Sequence, residues 1–294
     1  MISRRQWMGG AAALGCCVQE RRAGAADGFA GLSAAFARIE AERGGRLGVA
    51  VLDTGNGRRA GHRLGERFPL GSTFKLLAAG AVLARADAGQ DSMDRRIRYT
   101  RDDLVTYSPE TEKHAGGDGM TLAALCEAAI TLSDNTAGNL LLGVLGGPLG
   151  LTAYLRSLGD GMTRLDRMET ALNEARPGDP RDTTSPASML ADLQALTVGS
   201  ALSEPAKTTL QGWLRHNRTG GARLRARLPR GWQAGEKTGS SANGTSNDAG
   251  LLWPPNGGAA VLVAAYLTEG PADGSLRDAA LADVGAAVTA AWMG

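Results

Sequence analysis

The stretch "PLGSTFKLL", residues 69–77, places Ser72 and Lys75 three positions apart at the start of an apolar helical run. On a helix that spacing puts both side chains on one face, so the amine can reach the hydroxyl. A serine at a helix start also sits in the positive end of the helix dipole, which favours an alkoxide. Together they form an activated nucleophile that needs no histidine. The lysine is itself informative, because the chain has 28 arginines and only 4 lysines: Lys75, Lys113, Lys207 and Lys237. Where charge alone is wanted, this composition supplies arginine. A lysine marks a site that needs a compact amine able to release its proton. Alone, the spacing proves little, since a capped helix with a surface lysine produces it too.

Outward from this stretch, the apolar spacing stays helical from about residue 72 to 214, broken by Gly, Pro and Ser/Thr/Asp cap positions. Upstream lie a helical segment, "FAGLSAAFARIEAER" (29–43), and "RLGVAVLDTGNGRRAGHRL", which reads as strand, Gly-Asn-Gly turn and strand. Strand character returns in "GEKTGSSANGTSNDAGLLWPP" and "GAAVLVAAYLT", before an amphipathic helix from Leu276 to Trp292. Strands at both ends around a helical middle predict an α/β (α+β) fold: one antiparallel sheet built from both chain ends, flanked by helices, with an inserted all-helical lobe. The sheet lobe takes residues 26–68 and 215–294, and the helical lobe 69–214. Repeats and low-complexity linkers are absent.

The first 25 residues stand apart. "ISRRQWM" carries Arg4 and Arg5 ahead of a mild apolar stretch, Trp7 to Val18, and a small-residue site, Ala23-Gly24-Ala25. This is the pattern of a twin-arginine export signal, predicting a periplasmic or secreted protein. Gly15-Cys16 leaves lipoprotein cleavage open as an alternative, although Ala13 matches that signal poorly. Removal of the signal leaves Cys126 as the one cysteine, in an apolar helical stretch that suits a buried, inert thiol. His62, His114 and His216 are far apart and lack metal-ligand spacing, so no metal and no cofactor is expected. A net charge of +2, with acids interleaved among the arginines, makes no case for nucleic acid. No apolar run reaches the ~18 residues of a membrane span.

Two further motifs follow the Ser-x-x-Lys pair. "SDN" (133–135) opens another helix and offers a hydroxyl and an amide, and "KTG" (237–239) precedes the late strand pair. Between them, "RLDRMETALNEARPGDPRDTTSP" (164–186) adds a carboxylate and an amide four apart, Glu169 and Asn173. Each is common by itself; four in this order are not. From about residue 29 to its end the chain resembles the class A β-lactamases, whose motif set has this order. "RFPLGSTFK", "DLVTYSPETEKH" with Tyr107, and the whole Glu169 loop carry the resemblance further.

The resemblance implies the following roles. Ser72 attacks the lactam carbonyl, and its proton passes to Lys75 or, through a water held with Asn173, to Glu169; both routes stay open. Ser133 relays a proton to the leaving nitrogen. The Ser72 and Ser240 amides form the oxyanion hole. Lys237, Thr238 and Ser133, beside Gly239, bind the substrate carboxylate, Asn135 binds the acylamide side chain, and Tyr107 walls the cleft. Arg167 and Asp182 pair to close the Glu169 loop, and the Glu169-Thr170 peptide bond is expected to be cis. Many relatives place an arginine where Ser246 stands; Arg223 or Arg277 is expected to replace it, with Arg223 favoured. The disulfide of one carbapenem-hydrolysing subgroup is impossible, because its two positions are Gly71 and Ser241. A monomer acting on penicillins and cephalosporins is implied. A DD-peptidase and a non-hydrolysing β-lactam sensor share the Ser-Lys chemistry. The Glu169/Asn173 pair argues against the first, and the absence of a membrane segment against the second.

Overall fold

The structure, a computed structural model, describes residues 28–293; the stretch read above as an export signal, with Arg4, Arg5 and Cys16, lies outside the described residues. A 3-10 turn at Gly28–Gly31 leads into α1 (Leu32–Arg43), then the hairpin β1 (Arg46–Asp53) and β2 (Arg59–His62). Asp53 shapes the connection: its carboxylate accepts from Gly55 N (2.9 Å) and Asn56 Nδ2 (2.8 Å), and Gly57 takes φ +76°. Next come β3 (Phe68–Pro69), α2 (Phe74–Asp87), β4 (Arg96–Ile97), β5 (Met120–Thr121), α3 (Leu122–Thr131), α4 (Asn135–Leu145) and α5 (Gly147–Ser157). A long loop separates these from β6 (Thr183–Thr184), α6 (Pro186–Thr197) and α7 (Glu204–Arg215). The chain ends with β7 (Gln233–Ser241), β8 (Thr245–Trp253), β9 (Val261–Thr268) and α8 (Gly274–Met293).

Five strands form one antiparallel sheet in the order β2-β1-β9-β8-β7, so the first strand pairs with the last, Ala50 opposite Ala264. Side chains alternate across it. Val49 and Val51 face a core made with α1 and α8 (Phe36, Leu281, Val284), while Ala50 and Leu52 face the helical side with Phe68, Leu76 and Tyr266. Coverage on both faces explains why β1 is apolar at nearly every position. Helix α2 runs through the second core, with every residue from Phe74 to Leu83 buried. Burying each of its leucines stabilises by about 1.5–3 kcal/mol. Cys126 lies free and buried in α3, where burial pushes its thiol up.

The middle of the chain is less uniformly helical than its periodicity implies. It holds two short ladders, β3 with β6 and β4 with β5, and a loop from 158 to 182 whose one regular turn is Ala171–Glu174. Strands of two residues leave no alternating pattern to read. Helix α6 also packs on β1 and β9, so it serves the sheet as well as the helices. Among the described residues no single helix is long and apolar enough to cross a membrane.

Candidate active site

Ser72 occupies a 3-10 turn, Gly71–Thr73, directly before α2. Gly71 has φ +49°, and a Cβ there would lie 2.9 Å from Ser241 Oγ and 3.1 Å from Ser240 N. Glycine therefore lets the backbone at Ser72 abut the edge strand β7. The same contact shows positions 71 and 241 to be neighbours.

Lys75 is fully buried beneath Ser72. Its Nζ donates to Ser72 Oγ (3.0 Å), Ser133 O (2.9 Å) and Asn135 Oδ1 (2.6 Å), and stands 3.0 Å from Glu169 Oε1. An ammonium has three protons for these four acceptors. Burial pulls the amine down from its ordinary range, opposed by the Glu169 carboxylate and by Asp134. Gly138 makes room for the stem: a Cβ on this α4 residue would meet Lys75 Cε at 2.8 Å.

Glu169 comes from the long loop and is 5% exposed. Oε1 also accepts from Ser72 Oγ at 3.4 Å, and Oε2 from Asn173 Nδ2 at 2.6 Å. The Glu169-Thr170 bond is cis. Arg167 Nε donates to Asp182 Oδ2 (2.6 Å), and Asp182 Oδ1 accepts from the Asp166 and Arg167 amides. With side chains 18% and 1% exposed, this pair is partly buried, so it is not a surface pair of negligible worth. Asp182 O also accepts from Leu70 N (2.8 Å), tying the loop to the strand that delivers Ser72.

The opposite wall is β7. Lys237, fully buried, donates to Ser133 Oγ (3.0 Å) and Thr238 O (2.8 Å). Burial holds its amine well below the usual lysine range, helped by the positive charges of Lys75 and Arg223. Ser133 has φ +59° and Tyr107 φ +65°, a region uncommon outside glycine that costs about 1–3 kcal/mol. A cleft of about 260 Å³ brings Ser72, Ser133, Asn135 and Asn173 together with Tyr107, Thr238, Gly239 and Ser240. Tyr107 stands 57% exposed at this cleft. A larger cavity, about 390 Å³ between Arg96, His114, Met120 and Arg218, holds none of the motif residues. Among the described residues no three His, Cys, Asp or Glu side chains gather to hold a metal.

The two candidate arginines separate. Arg223 lines the cleft and donates to Asp278 Oδ1 (2.8 Å), Gly239 O (2.7 Å), Asn247 O (2.9 Å) and Ser240 Oγ (2.7 Å). Arg277 is not among the cleft residues; its guanidinium is held by Pro271 O, Ala272 O and Ser246 Oγ. It lies outside because the carbonyls before α8 capture it.

The sequence model of the beta-lactamase enzyme family matches residues 31–292. The chain is 51% identical over 248 residues to beta-lactamase AST-1 of Nocardia asteroides, covering 84% of this chain and 79% of that protein. An ancestral (GNCA) class A beta-lactamase superposes with a TM-score of 0.86 at 59% identity, covering 88% of this chain and 99% of that one. A putative class A beta-lactamase, PenP, from Rhodopseudomonas palustris gives 0.86 at 60%, with the same coverage. The chain belongs to the class A β-lactamases.

Within this β-lactamase, several residues that position the motifs carried no signal of their own. Asn139 accepts from Glu169 N (2.8 Å) and donates to Glu169 O (3.0 Å), fixing the backbone at the carboxylate from both sides. Its one sequence clue is the four-residue spacing from Asn135 on α4. Asp134, the middle of "SDN", is fully buried, caps α4 through Ala137 N (2.9 Å) and accepts from the Glu110 and Thr111 amides (2.9 Å each). Thr219 meets Thr238 Oγ1 at 2.5 Å, a contact between positions 19 residues apart that no motif announces.

Proposed function

We infer that Ser72 carries the acyl group in the hydrolysis of the β-lactam ring that this class A β-lactamase performs through a serine acyl-enzyme. One observation supports the reading best: Glu169 reaches Ser72 Oγ and Lys75 Nζ with one oxygen while Asn173 donates to the other. A water held by Asn173 and Glu169 then lies beside the ester, and Glu169 takes its proton during deacylation. For acylation, the Ser72 proton passes to Lys75, whose amine burial has made easier to neutralise, or to Glu169 through that water. Ser133, bridged to Lys75 through its carbonyl and to Lys237 through its hydroxyl, returns a proton to the lactam nitrogen. The Ser72 and Ser240 amides polarise the carbonyl, each such donor contributing about 3 kcal/mol.

Lys237, Thr238 and Ser133 receive the substrate carboxylate, with Arg223 as the second cation. Asn135 takes the acylamide group, and Tyr107 flanks the cleft mouth. Penicillins and cephalosporins fit this site: Gly71 and Ser241 exclude the disulfide of the carbapenem-hydrolysing subgroup, and Ser240-Ser241 favours bulky cephalosporins. The Glu169/Asn173 pair favours this reading over a DD-peptidase, which shares the Ser-Lys chemistry but lacks such a pair to activate water for release from a β-lactam. Turnover separates it from a sensor, which stays acylated. The enzyme acts as a monomer, exported through the twin-arginine route that Arg4 and Arg5 suggest. Purified protein given a chromogenic cephalosporin tests the reading. Steady turnover is expected; a single stoichiometric burst or slow cleavage would refute it.

A further inference from the structure

Two buried acids come together at the base of the Glu169 loop, near enough for each to act on the other's acidity: Asp160, just past α5, and Asp192 on α6. They are 6% and 2% exposed. Two ionised carboxylates have acceptors only, so a hydrogen bond between them needs a proton on one of the four oxygens. The surroundings decide which. Asp160 Oδ1 accepts from Met162 N (2.7 Å) and Thr163 N (3.1 Å), and its Oδ2 from Thr163 N (3.2 Å); such donors favour the charged form. The Arg156 guanidinium, which donates to Asp160 O and to Thr163 O (2.7 Å), is the one cation acting on Asp192; it works against the protonated form there but is outweighed by burial and by Asp160. Among the described residues Asp192 receives no N–H, and its Oδ2 is buried without a partner. The other titratable groups near the pair are Tyr154 of α5 and Tyr266 of β9, with Asp87 of α2 beside Tyr154. None of these is a cation. The directions agree. Burial works against Asp160, yet the hydrogen bonds from Thr163 and Met162 hold it below the usual range, whereas burial and Asp160 push Asp192 up to about 9.

We propose that Asp192 stays protonated at neutral pH and donates its hydrogen to Asp160, forming a positioning pair that clasps the two ends of the loop carrying Glu169. The ends meet beside it: Thr163 Oγ1 is 2.7 Å from Thr184 Oγ1, and Arg164 N donates to Thr183 O (3.0 Å). Ionising Asp192 leaves two buried anions in contact, and repulsion between them frees the first turn of the loop, nine residues before Glu169. Asn139 and the Arg167–Asp182 pair still hold the loop, so turnover slows and the fold persists. The folded state binds this proton more tightly than the unfolded chain does. Its contribution is therefore complete below the ordinary carboxylate range and is lost as pH rises to about 9, by up to tenfold in the folding equilibrium per pH unit.

The kinetic consequence rests on the assignment of Glu169 above; the location of the proton does not, and the two are tested apart. Aspartate carboxyl carbons labelled with carbon-13 are titrated by NMR in the folded enzyme, the Asp192 resonance being the one absent from Asp192→Asn. A midpoint above pH 7 is expected, and one at or below 7 overturns the proposal. Asp192→Asn supplies a permanent N–H donor to Asp160. The ratio of its kcat to that of the unaltered enzyme should be constant within twofold from pH 6 to 7 and rise at least threefold by pH 9.5. A high midpoint with a flat ratio would make the proton purely structural and overturn the positioning role. If Asp192→Asn does not fold, Asp160→Asn serves instead: removing the anionic acceptor should lower one of the raised aspartate midpoints of the unaltered enzyme by at least one pH unit, and a set of raised midpoints that all stay in place overturns the pairing.

Discussion

Arg223→Ala separates the cleft arginine from its neighbour on α8. The Arg223 guanidinium has five N–H groups, and four are engaged: Nε with Asp278, both on Nη1 with Gly239 O and Asn247 O, and one on Nη2 with Ser240 Oγ. One Nη2 hydrogen remains for a substrate carboxylate. A single charge-assisted hydrogen bond is worth about 1.5–3 kcal/mol, so kcat/KM for a penicillin should fall by roughly 10- to 150-fold. Most of the change should be in KM, because carboxylate binding precedes the chemistry. The variant also strands two backbone carbonyls and Asp278, so circular dichroism and a melting curve must show it folded at the assay temperature. A second readout is pH. Arg223 helps hold the Lys237 amine down. Removing it raises that amine, and the alkaline limb of kcat/KM that reports Lys237 should move to higher pH. Arg277→Ala, changing a side chain outside the cleft, should alter kcat/KM less than threefold. A folded Arg223→Ala enzyme within threefold of the original, or a larger loss in Arg277→Ala, would refute the reasoning.

Three other substitutions probe the loop. Glu169→Ala should still acylate but not release product, leaving a persistent adduct on Ser72 by mass spectrometry; near-normal turnover would exclude Glu169 as the deacylation base. Asn139→Ala removes both hydrogen bonds to the Glu169 backbone, about 0.5–1.5 kcal/mol each. It should lower kcat for deacylation-limited substrates more than it changes KM, and equal effects on both would count against it. Asp182→Asn removes the anion that receives Arg167 Nε and two amides. Breaking this partly buried pair should cost about 3 kcal/mol, roughly 6–12 °C in Tm for a domain of this size; a Tm within 2 °C would show the loop closed by other contacts.

Much of this protein was legible from residue order alone. Motifs such as Ser72-x-x-Lys75, Ser133-Asp134-Asn135 and Lys237-Thr238-Gly239 are read locally, because helix and strand periodicity fix which side chains share a face within a few residues. The same periodicity assigned the sheet to both chain ends, and α2 could be read as buried since "FKLLAAGAVL" offers no polar face except Lys75. Tertiary structure decided what depends on approach across long separations. The resemblance named both Arg223 and Arg277 and favoured Arg223, but only the fold shows why: it turns Arg223 into the cleft along Gly239 and Ser240 while carbonyls before α8 hold Arg277 away. Asn139 and Thr219 gained roles only when the loop and β7 closed on them, because a hydrogen bond between distant segments leaves no period in either. The same holds for the acids Asp160 and Asp192. As letters they are two ordinary charges, and burial face to face is what forces them to share one proton.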